Sequence, residues 1–313
     1  MTEIWDCIIL GGSGAGAAAA IYAARAGLKT LVVTKDFGGQ LLNTEFVENY
    51  PGIKHIGGLE IGKALEEHVR AYEKEGLKVV LDPIVRVEKK DKLFEVETDM
   101  EGTYFGKTVI LGTGMNPKKL NVPGSKEFDS KGVHYCATCD GPIYKGKEMI
   151  VVGGGYSGIE HALYLSGIAS KVYVIEFNSV LGGEEITQKQ LLKQKNVEIL
   201  LNTEVQEIFG TKFAEGIKVK DRKTGQVKEI KAPGIFIAIG QVPNTKFLKF
   251  SLSENKGGEI IIDEKNRTNI EGLFAAGDVT TYPIKQLVTS AGEGCKAALY
   301  CNDYLKGKIK WND

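Results

Sequence analysis

In Cys136-Ala137-Thr138-Cys139-Asp140, residue type and spacing together specify chemistry. Two cysteines three apart at a helix start can close a small, reversible disulfide, and the local dipole stabilises the thiolate. Asp140, beside the second sulfur, is placed to give and take the proton that disulfide reduction requires. Such work needs a carboxyl whose pKa is raised by burial. His134, two residues ahead, is read as structural rather than as an assistant. The competing reading is half of a zinc site. A structural zinc takes four ligands, usually a second Cys-x-x-Cys or a histidine pair at similar spacing. The four histidines are scattered at His55, His68, His134 and His161 and supply no second half, so no metal is expected. The other cysteines, Cys7, Cys295 and Cys301, fall in apolar strand or helical patterns and read as packing residues.

Two glycine-rich turns point to dinucleotides. Gly153-x-Gly155-x-x-Gly158 follows a clean apolar strand and opens a helix, with Tyr156 and Ser157 inside the turn. Such a turn sets backbone N–H groups and a helix N-terminus against a pyrophosphate. Glu176 ends the next strand, about twenty residues on, where an acidic group hydrogen-bonds the adenosine ribose of NAD. A 2′-phosphate would repel that carboxylate and call for arginine. No arginine lies between Arg86 and Arg222, and residues 176–185 contain no basic side chain. NADH is therefore expected over NADPH. The remaining route to NADPH is a lysine folding in from elsewhere, such as Lys189 or Lys193. The first turn, Gly11-Gly12-Ser13-Gly14-Ala15-Gly16, allows two registers. Gly11 and Gly16 can be its outer glycines with Ser13 between them, or Gly12, Gly14 and Ala17 can fill the three places.

The elements that must position these residues repeat one grammar. Residues 4–10, the glycine turn, an alanine-rich helix over 17–26 and a strand over 28–33 recur as 149–152, the second turn, a helix to about Leu165 and Lys171–Ile175. Two strand–turn–helix–strand units imply two dinucleotide-binding folds. Residues 84–87, Leu93–Thr98 and 103–105 alternate as an antiparallel insert closing on the apolar run 109–111. Residues 205–208, 217–221, 226–231 and 235–239 form a matching tail. A last helix starts near Gln286. The expected class is α/β: two Rossmann-like, three-layer ββα domains, the second inserted in the first.

Composition sets the outer limits. The chain has 313 residues, 42% hydrophobic and 26% charged, ordinary for a soluble globular protein of about two domains. Forty basic and forty acidic side chains cancel, so nothing draws it generally to nucleic acid or an anionic membrane. No uncharged apolar run reaches the roughly 18 residues of a membrane helix, and the start lacks signal-peptide character. A cytoplasmic location is expected, and five cysteines, an odd count, argue against a structural disulfide framework.

The order of these motifs resembles the low-molecular-weight thioredoxin reductases. The resemblance covers essentially the whole chain and adds Gly38-Gly39-Gln40, Glu48-Asn49-Tyr50-Pro51-Gly52, Thr113-Gly114, the run from Gly272 through Gly277-Asp278, and Lys285-Gln286. It implies an FAD domain made of residues 1–116 and 244–313 and a nicotinamide domain of residues 117–243 carrying the cysteine pair. The implied FAD residues are Gly11, Ser13, Gly14, Ala15, Gly16, Gly39, Gln40, Asn49, Thr113, Gly114, Gly277, Asp278, Lys285 and Gln286, with Asp278 at the ribityl–phosphate region. The nicotinamide residues are Gly153, Gly155, Tyr156, Ser157, Gly158 and Glu176. A homodimer is implied, and a domain rotation that brings first the disulfide and then the nicotinamide to the flavin.

One departure shapes the expected function. Members using NADPH carry a His-Arg-Arg run where this chain has Glu176-Phe177-Asn178. Here the sequence is more similar to the NADH-using flavoprotein component of alkyl hydroperoxide reductase, as are residues 135–147 and 258–263. That component has a further N-terminal domain with its own cysteine pair. This sequence begins at the FAD strand, so electrons are expected to pass to a separate thioredoxin- or glutaredoxin-like carrier. The resemblance makes Cys136 the sulfur that attacks the carrier and Cys139 the one facing the flavin. The alternatives are a reductase fed by ferredoxin or another reduced flavin, and a non-catalytic flavin redox sensor.

Overall fold

The computed structural model describes residues 3–44 and 46–311. The chain divides into two compact units, Met1–Asn116 with Val242–Asp313, and Pro117–Gln241.

In the first unit the chain runs β1 (Ile4–Leu10), α1 (Gly14–Arg25), β2 (Thr30–Thr34), α2 (Gly58–Arg70), β3 (Leu77–Leu81), β4 (Ile84–Lys90), β5 (Leu93–Thr98) and β6 (Thr103–Leu111). The second contains β7 (Val133–His134), α3 (Ala137–Asp140), β8 (Glu148–Val152), α4 (Tyr156–Ser166), β9 (Lys171–Ile175), α5 (Glu185–Leu192) and β10 (Val197–Leu200). It continues as β11 (Thr203–Gly210), β12 (Ala214–Asp221), β13 (Val227–Lys231) and β14 (Gly234–Ile237). The chain then returns to the first unit with β15 (Leu273–Ala275) and α6 (Leu287–Leu305).

The first unit's sheet has the order β3-β2-β1-β6-β5-β4, with β15 also on β6. Strands β3, β2, β1, β6 and β15 pair in parallel, whereas β4, β5 and the start of β6 are antiparallel. The sequence pattern splits β6 into two strands, at 103–105 and 109–111; the structure has one. Gly106 interrupts the apolar pattern without ending the strand, because a Cβ there would lie 2.7 Å from Ile8. At that point β6 changes its partner from antiparallel β5 to parallel β15.

Alternation along β1 builds two cores. Cys7 and Ile9 pack with the alanines of α1 and with Phe274 and Cys301, while Ile8 and Leu10 pack with Val87, Phe94 and Val96 on the other face. The second unit repeats the arrangement. Its parallel sheet is ordered β7-β14-β8-β9-β10, beside a separate antiparallel sheet β11-β12-β13. Met149 and Val151 join Ile159 and Ala162 of α4, and Ile150 and Val152 join Ile217 and Val219. Each unit is a three-layer α/β structure of Rossmann type. Among the described residues, no helix is long and apolar enough to cross a membrane.

Candidate active site

The two glycine turns match position by position in what their glycines touch. Gly11 and Gly153 have φ of +111° and +110°, a region that favours glycine, and an added Cβ would lie 2.3 Å and 2.1 Å from the carbonyls of Gly112 and Ala238. At Gly16 and Gly158 a Cβ would lie 1.9 Å and 2.0 Å from the carbonyls of Gly11 and Gly153, so these glycines let each helix press on its strand. The register of the first turn is therefore Gly11-x-Ser13-x-x-Gly16, the counterpart of Gly153-x-Gly155-x-x-Gly158.

The middle positions stay open toward a ligand. Among the described residues, a Cβ at Gly155 would meet nothing within 4 Å, and α4, which begins there, has no side-chain cap. Ser13 begins α1 likewise, but its hydroxyl donates to the Gly38 carbonyl at 2.7 Å and leaves that helix uncapped by any side chain. Unsatisfied N–H groups at both N-termini fit a pyrophosphate. Gly14 differs from the open positions: a Cβ there would run into Leu287 at 2.7 Å, so it admits α6.

The structure gathers the other first-unit residues in small hydrogen-bonded sets. Gly39 donates its N–H to Asp36 at 3.0 Å, and Gln40 donates to the Met115 carbonyl at 3.1 Å. Asn49 donates to the Gln286 side chain at 3.0 Å. Thr113 donates its hydroxyl to the Asn244 carbonyl at 2.9 Å, while the Gly114 carbonyl accepts the Asn244 N–H. Asp278 follows Gly277, where a Cβ would crowd Ala15 at 2.9 Å, and it accepts from the Ser290 hydroxyl at 3.1 Å. Burial holds the Asp278 carboxyl above its ordinary range, against the pull of Ser290 and Lys285 in the other direction. Lys285 pairs with Glu259 at 2.9 Å and donates to the Asp278 carbonyl.

In the second unit Glu176 is buried at the end of β9. One of its oxygens accepts the Gly154 N–H at 2.6 Å, and the other accepts the backbone and side-chain N–H groups of Asn178, each at 2.7 Å. The carboxylate thus ties the glycine turn to the strand end. Tyr156 and Ser157 stand exposed at the start of α4.

A positive charge that the sequence pattern does not reveal comes to this strand end. Arg222, in the turn between β12 and β13, stacks 3.6 Å over the Phe177 ring and donates to the Phe177 carbonyl at 2.9 Å. Lys189, one of the two lysines named as an alternative route to NADPH, pairs with Glu185 at 3.0 Å on its own helix. The sequence Asp221-Arg222-Lys223-Thr224 marks only a tight turn, in which Asp221 accepts the N–H groups of Lys223 and Thr224.

Cys136 and Cys139 form a disulfide with their Cα atoms 5.4 Å apart. Cys136 is the N-cap of α3, and its sulfur accepts the Cys139 N–H at 3.1 Å. Cys136 is buried and Cys139 exposed, the opposite of the exposure that an attack by Cys136 on a carrier requires. His134 is buried with one ring nitrogen 3.3 Å from Asp140 and the other 2.9 Å from the Tyr144 hydroxyl. Cys7 and Cys301 are buried in the first unit, and Cys295 is half-buried.

This geometry has counterparts. Residues 5–294 match the pyridine nucleotide-disulphide oxidoreductase family. The chain belongs to that family. It is 45% identical over 303 residues to an NADH dehydrogenase of Bacillus subtilis, covering 97% of this chain and 59% of that protein. It is 42% identical to an alkyl hydroperoxide reductase component of Pseudomonas aeruginosa, covering 97% and 58%. The chain thus spans under two thirds of the length of these curated relatives. The whole chain has its match among solved structures. The thioredoxin reductase of Lactococcus lactis aligns with a TM-score of 0.92 at 33% identity, covering 97% of this chain and 99% of the other. That of T. acidophilum aligns at 0.90 and 37%, covering 96% and 98%.

Proposed function

We propose that this oxidoreductase passes electrons from NADH, in preference to NADPH, to the Cys136–Cys139 disulfide and on to a thioredoxin- or glutaredoxin-like carrier. The observation that carries the reading is a disulfide in the same compact unit as an uncapped glycine turn with an open middle position. FAD on the first unit and the nicotinamide on the second would supply the two-electron reduction. Ser13, Gly16, Gly39, Gln40, Asn49, Thr113, Asp278 and Gln286 would hold the one, and Gly153, Gly155, Gly158 and Glu176 the other. Asp140 would give a proton as the S–S bond opens on reduction and take one as it closes, and the Cys139 N–H would stabilise a thiolate on Cys136.

Glu176 supports NADH because its buried carboxylate would face a 2′-phosphate with like charge. The Bacillus relative's name, NADH dehydrogenase, agrees. Roles for the two sulfurs follow the thioredoxin reductase resemblance: Cys136 attacks the carrier and Cys139 faces the flavin. The same resemblance supports a homodimer, which sedimentation of the purified protein tests, and a cytoplasmic setting.

The deciding experiment is an anaerobic titration of the purified flavoprotein with NADH and with NADPH, followed at the flavin absorbance. Bleaching at far lower NADH supports the reading. Bleaching by neither overturns the nicotinamide claim and favours a ferredoxin- or flavin-fed reductase, the activity named for a Clostridium acetobutylicum protein of TM-score 0.53 and 30% identity. Flavin reduction with no turnover of any thioredoxin or glutaredoxin favours a redox sensor.

A further inference from the structure

We propose that Asn178 is the positioning residue of Glu176: its amide holds the carboxylate against the second glycine turn, and this hold sets how strongly the site rejects a 2′-phosphate. The inference rests on the reading of Glu176 as the group that selects NADH. It extends that reading to a side chain outside both the glycine motif and the strand end.

Three donors converge on this carboxylate. Its Oε2 accepts the Gly154 N–H at 2.6 Å, and its Oε1 accepts the Asn178 backbone N–H and Nδ2, each at 2.7 Å. An ionised carboxylate only accepts, so the Asn178 amide must turn its nitrogen toward Glu176. A carboxylate takes about four hydrogen bonds, which leaves about one position for a ribose hydroxyl. Gly154 makes the approach possible, because a Cβ there would lie 2.7 Å from Leu181 and 3.0 Å from Oε2.

The backbone on either side of Phe177 is pinned independently of that amide. Glu176 donates its N–H to the Leu200 carbonyl at 2.9 Å, and its own carbonyl accepts the Thr203 N–H at 2.9 Å. The Asn178 carbonyl accepts the Asn202 N–H at 2.8 Å. Asn202 lies between β10 and β11 in the left-handed region, with φ of +52°, and its carbonyl accepts the Arg222 N–H at 2.7 Å. Glu176 is buried and Asn178 exposed. An exposed amide thus closes on a buried carboxylate, and that amide can be removed while the chain around it stays tied.

The sign of the effect follows from what an incoming 2′-phosphate would meet. A free glutamate side chain could swing into solvent at little cost. The held one either stays and repels the phosphate, or leaves by breaking charge-assisted hydrogen bonds and stranding their donors. Loss of the amide loosens the carboxylate and admits water, which screens its charge. Both changes weaken the repulsion, so NADP⁺ should gain affinity. NAD⁺ should lose a little, because its ribose would meet a less preorganised acceptor.

The test reads binding and needs no turnover. Isothermal titration calorimetry of the purified, oxidised flavoprotein gives the ratio of the Kd for NADP⁺ to the Kd for NAD⁺. The variants are Asn178→Leu, which keeps the side chain's size without its donor, Glu176→Ala, and the two combined. We expect Asn178→Leu to lower the ratio about fivefold, the worth of part of a charge-assisted contact at an exposed position, and Glu176→Ala to lower it at least as far. The double variant should match Glu176→Ala alone, since a positioning residue has nothing left to position. A lowered ratio in Glu176→Ala with none in Asn178→Leu overturns the role of Asn178 and leaves the NADH reading standing. An unchanged ratio in both overturns both, as does a parent that binds neither dinucleotide. An equal effect of Asn178→Leu with and without Glu176 shows that Asn178 meets the dinucleotide itself, and overturns positioning. If Glu176→Ala fails to fold, Glu176→Gln takes its place in every comparison.

Discussion

The Arg222 guanidinium lies 3.6 Å over the ring of Phe177 and donates to the Phe177 carbonyl at 2.9 Å. A permanent positive charge therefore stands at the strand end whose carboxylate, Glu176, argues for NADH. Stacked and hydrogen-bonded, the guanidinium is committed to the protein, yet it remains the charge that a 2′-phosphate would meet. Residual turnover with NADPH is thus predicted to depend on it. Arg222→Ala should lower kcat/KM for NADPH at least about tenfold, the worth of one charge-assisted contact, and that for NADH less than about threefold. Equal losses with both cofactors would show that Arg222 serves only to hold Phe177.

The two glycines of the second turn separate ligand space from packing space. Gly155 has φ of −81°, open to any residue, and a Cβ there meets nothing of the chain. Gly155→Ala is predicted to melt within about two degrees of the parent while weakening NADH binding about tenfold or more, because the methyl would fill the space proposed for the pyrophosphate. Gly158→Ala forces a Cβ to 2.0 Å from the Gly153 carbonyl and should destabilise the chain by about 2 kcal/mol or more whether or not the dinucleotide is bound. Differential scanning fluorimetry with and without NADH reads both.

Gly153 and Gly158 were legible in the sequence because close backbone approach admits glycine alone, so they mark the turn without a structure. Ser13 illustrates the boundary of that logic. Its register stayed ambiguous among the crowded glycines of the first turn until the contacts of Gly11 and Gly16 resolved it. Arg222 was out of reach for a different reason. It lies 45 residues from Phe177, and only the pairing of β12 with β13 returns its turn to the strand end. His134 carried a near-neutral signal, since a lone histidine in a strand is usually a packed one. The structure adds that Tyr144 and Asp140 approach its two ring nitrogens. Strand β6 was cut in two for want of knowing its partners, because Gly106 reads as a break in one dimension and as relief for Ile8 in three.

Exposure and family resemblance make opposite assignments of the sulfurs, and trapping decides between them. Cys139 is exposed and Cys136 buried in this conformation, whereas the proposed cycle has Cys136 attack the carrier. With a thioredoxin-like carrier lacking its own resolving cysteine, Cys139→Ser is predicted to accumulate a mixed disulfide through Cys136. The Cys136→Ser variant should trap at least about tenfold less, because thiolate character as well as access governs attack. Non-reducing electrophoresis and mass spectrometry identify the linked sulfur. Preferential trapping through Cys139 would reverse the assignment.

His161 on α4 links burial to acid sensitivity. Burial alone lowers its pKa from 6.5 to about 4, and among the described residues its Nδ1 has no hydrogen-bond partner. The unfolded chain takes up a proton below pH 6.5 that the folded chain refuses until about 4, so stability is lost as pH falls through that window. His161→Leu is predicted to flatten the decline, recovering on the order of 2 kcal/mol at the acid end and little at pH 8. Urea midpoints measured at several pH values would expose an unaltered slope if the reading is wrong.

Asp278 presents the opposite sign and a conflict between stability and binding. Its carboxyl is held above the ordinary 3.8 by burial, with the Ser290 hydroxyl and the Lys285 charge offsetting part of that rise. The folded state therefore keeps the proton more tightly than the unfolded one. Its contribution to stability is present below pH 3.8 and is lost as pH rises through the folded value, where the half-buried group must carry charge. Asp278→Asn removes that charge while retaining an oxygen acceptor for the Ser290 hydroxyl. The flavin-free variant is predicted to melt a few degrees above the flavin-free parent at pH 7 and to show no advantage at about pH 3.5. If Asp278 also accepts from the ribityl hydroxyls, the same change should cost flavin retention about tenfold in Kd, since a charged acceptor becomes a neutral amide. Gain of stability together with loss of flavin would show a residue kept charged for binding at the expense of folding. Gain without loss would leave Asp278 a buried carboxylate with no part in holding the cofactor.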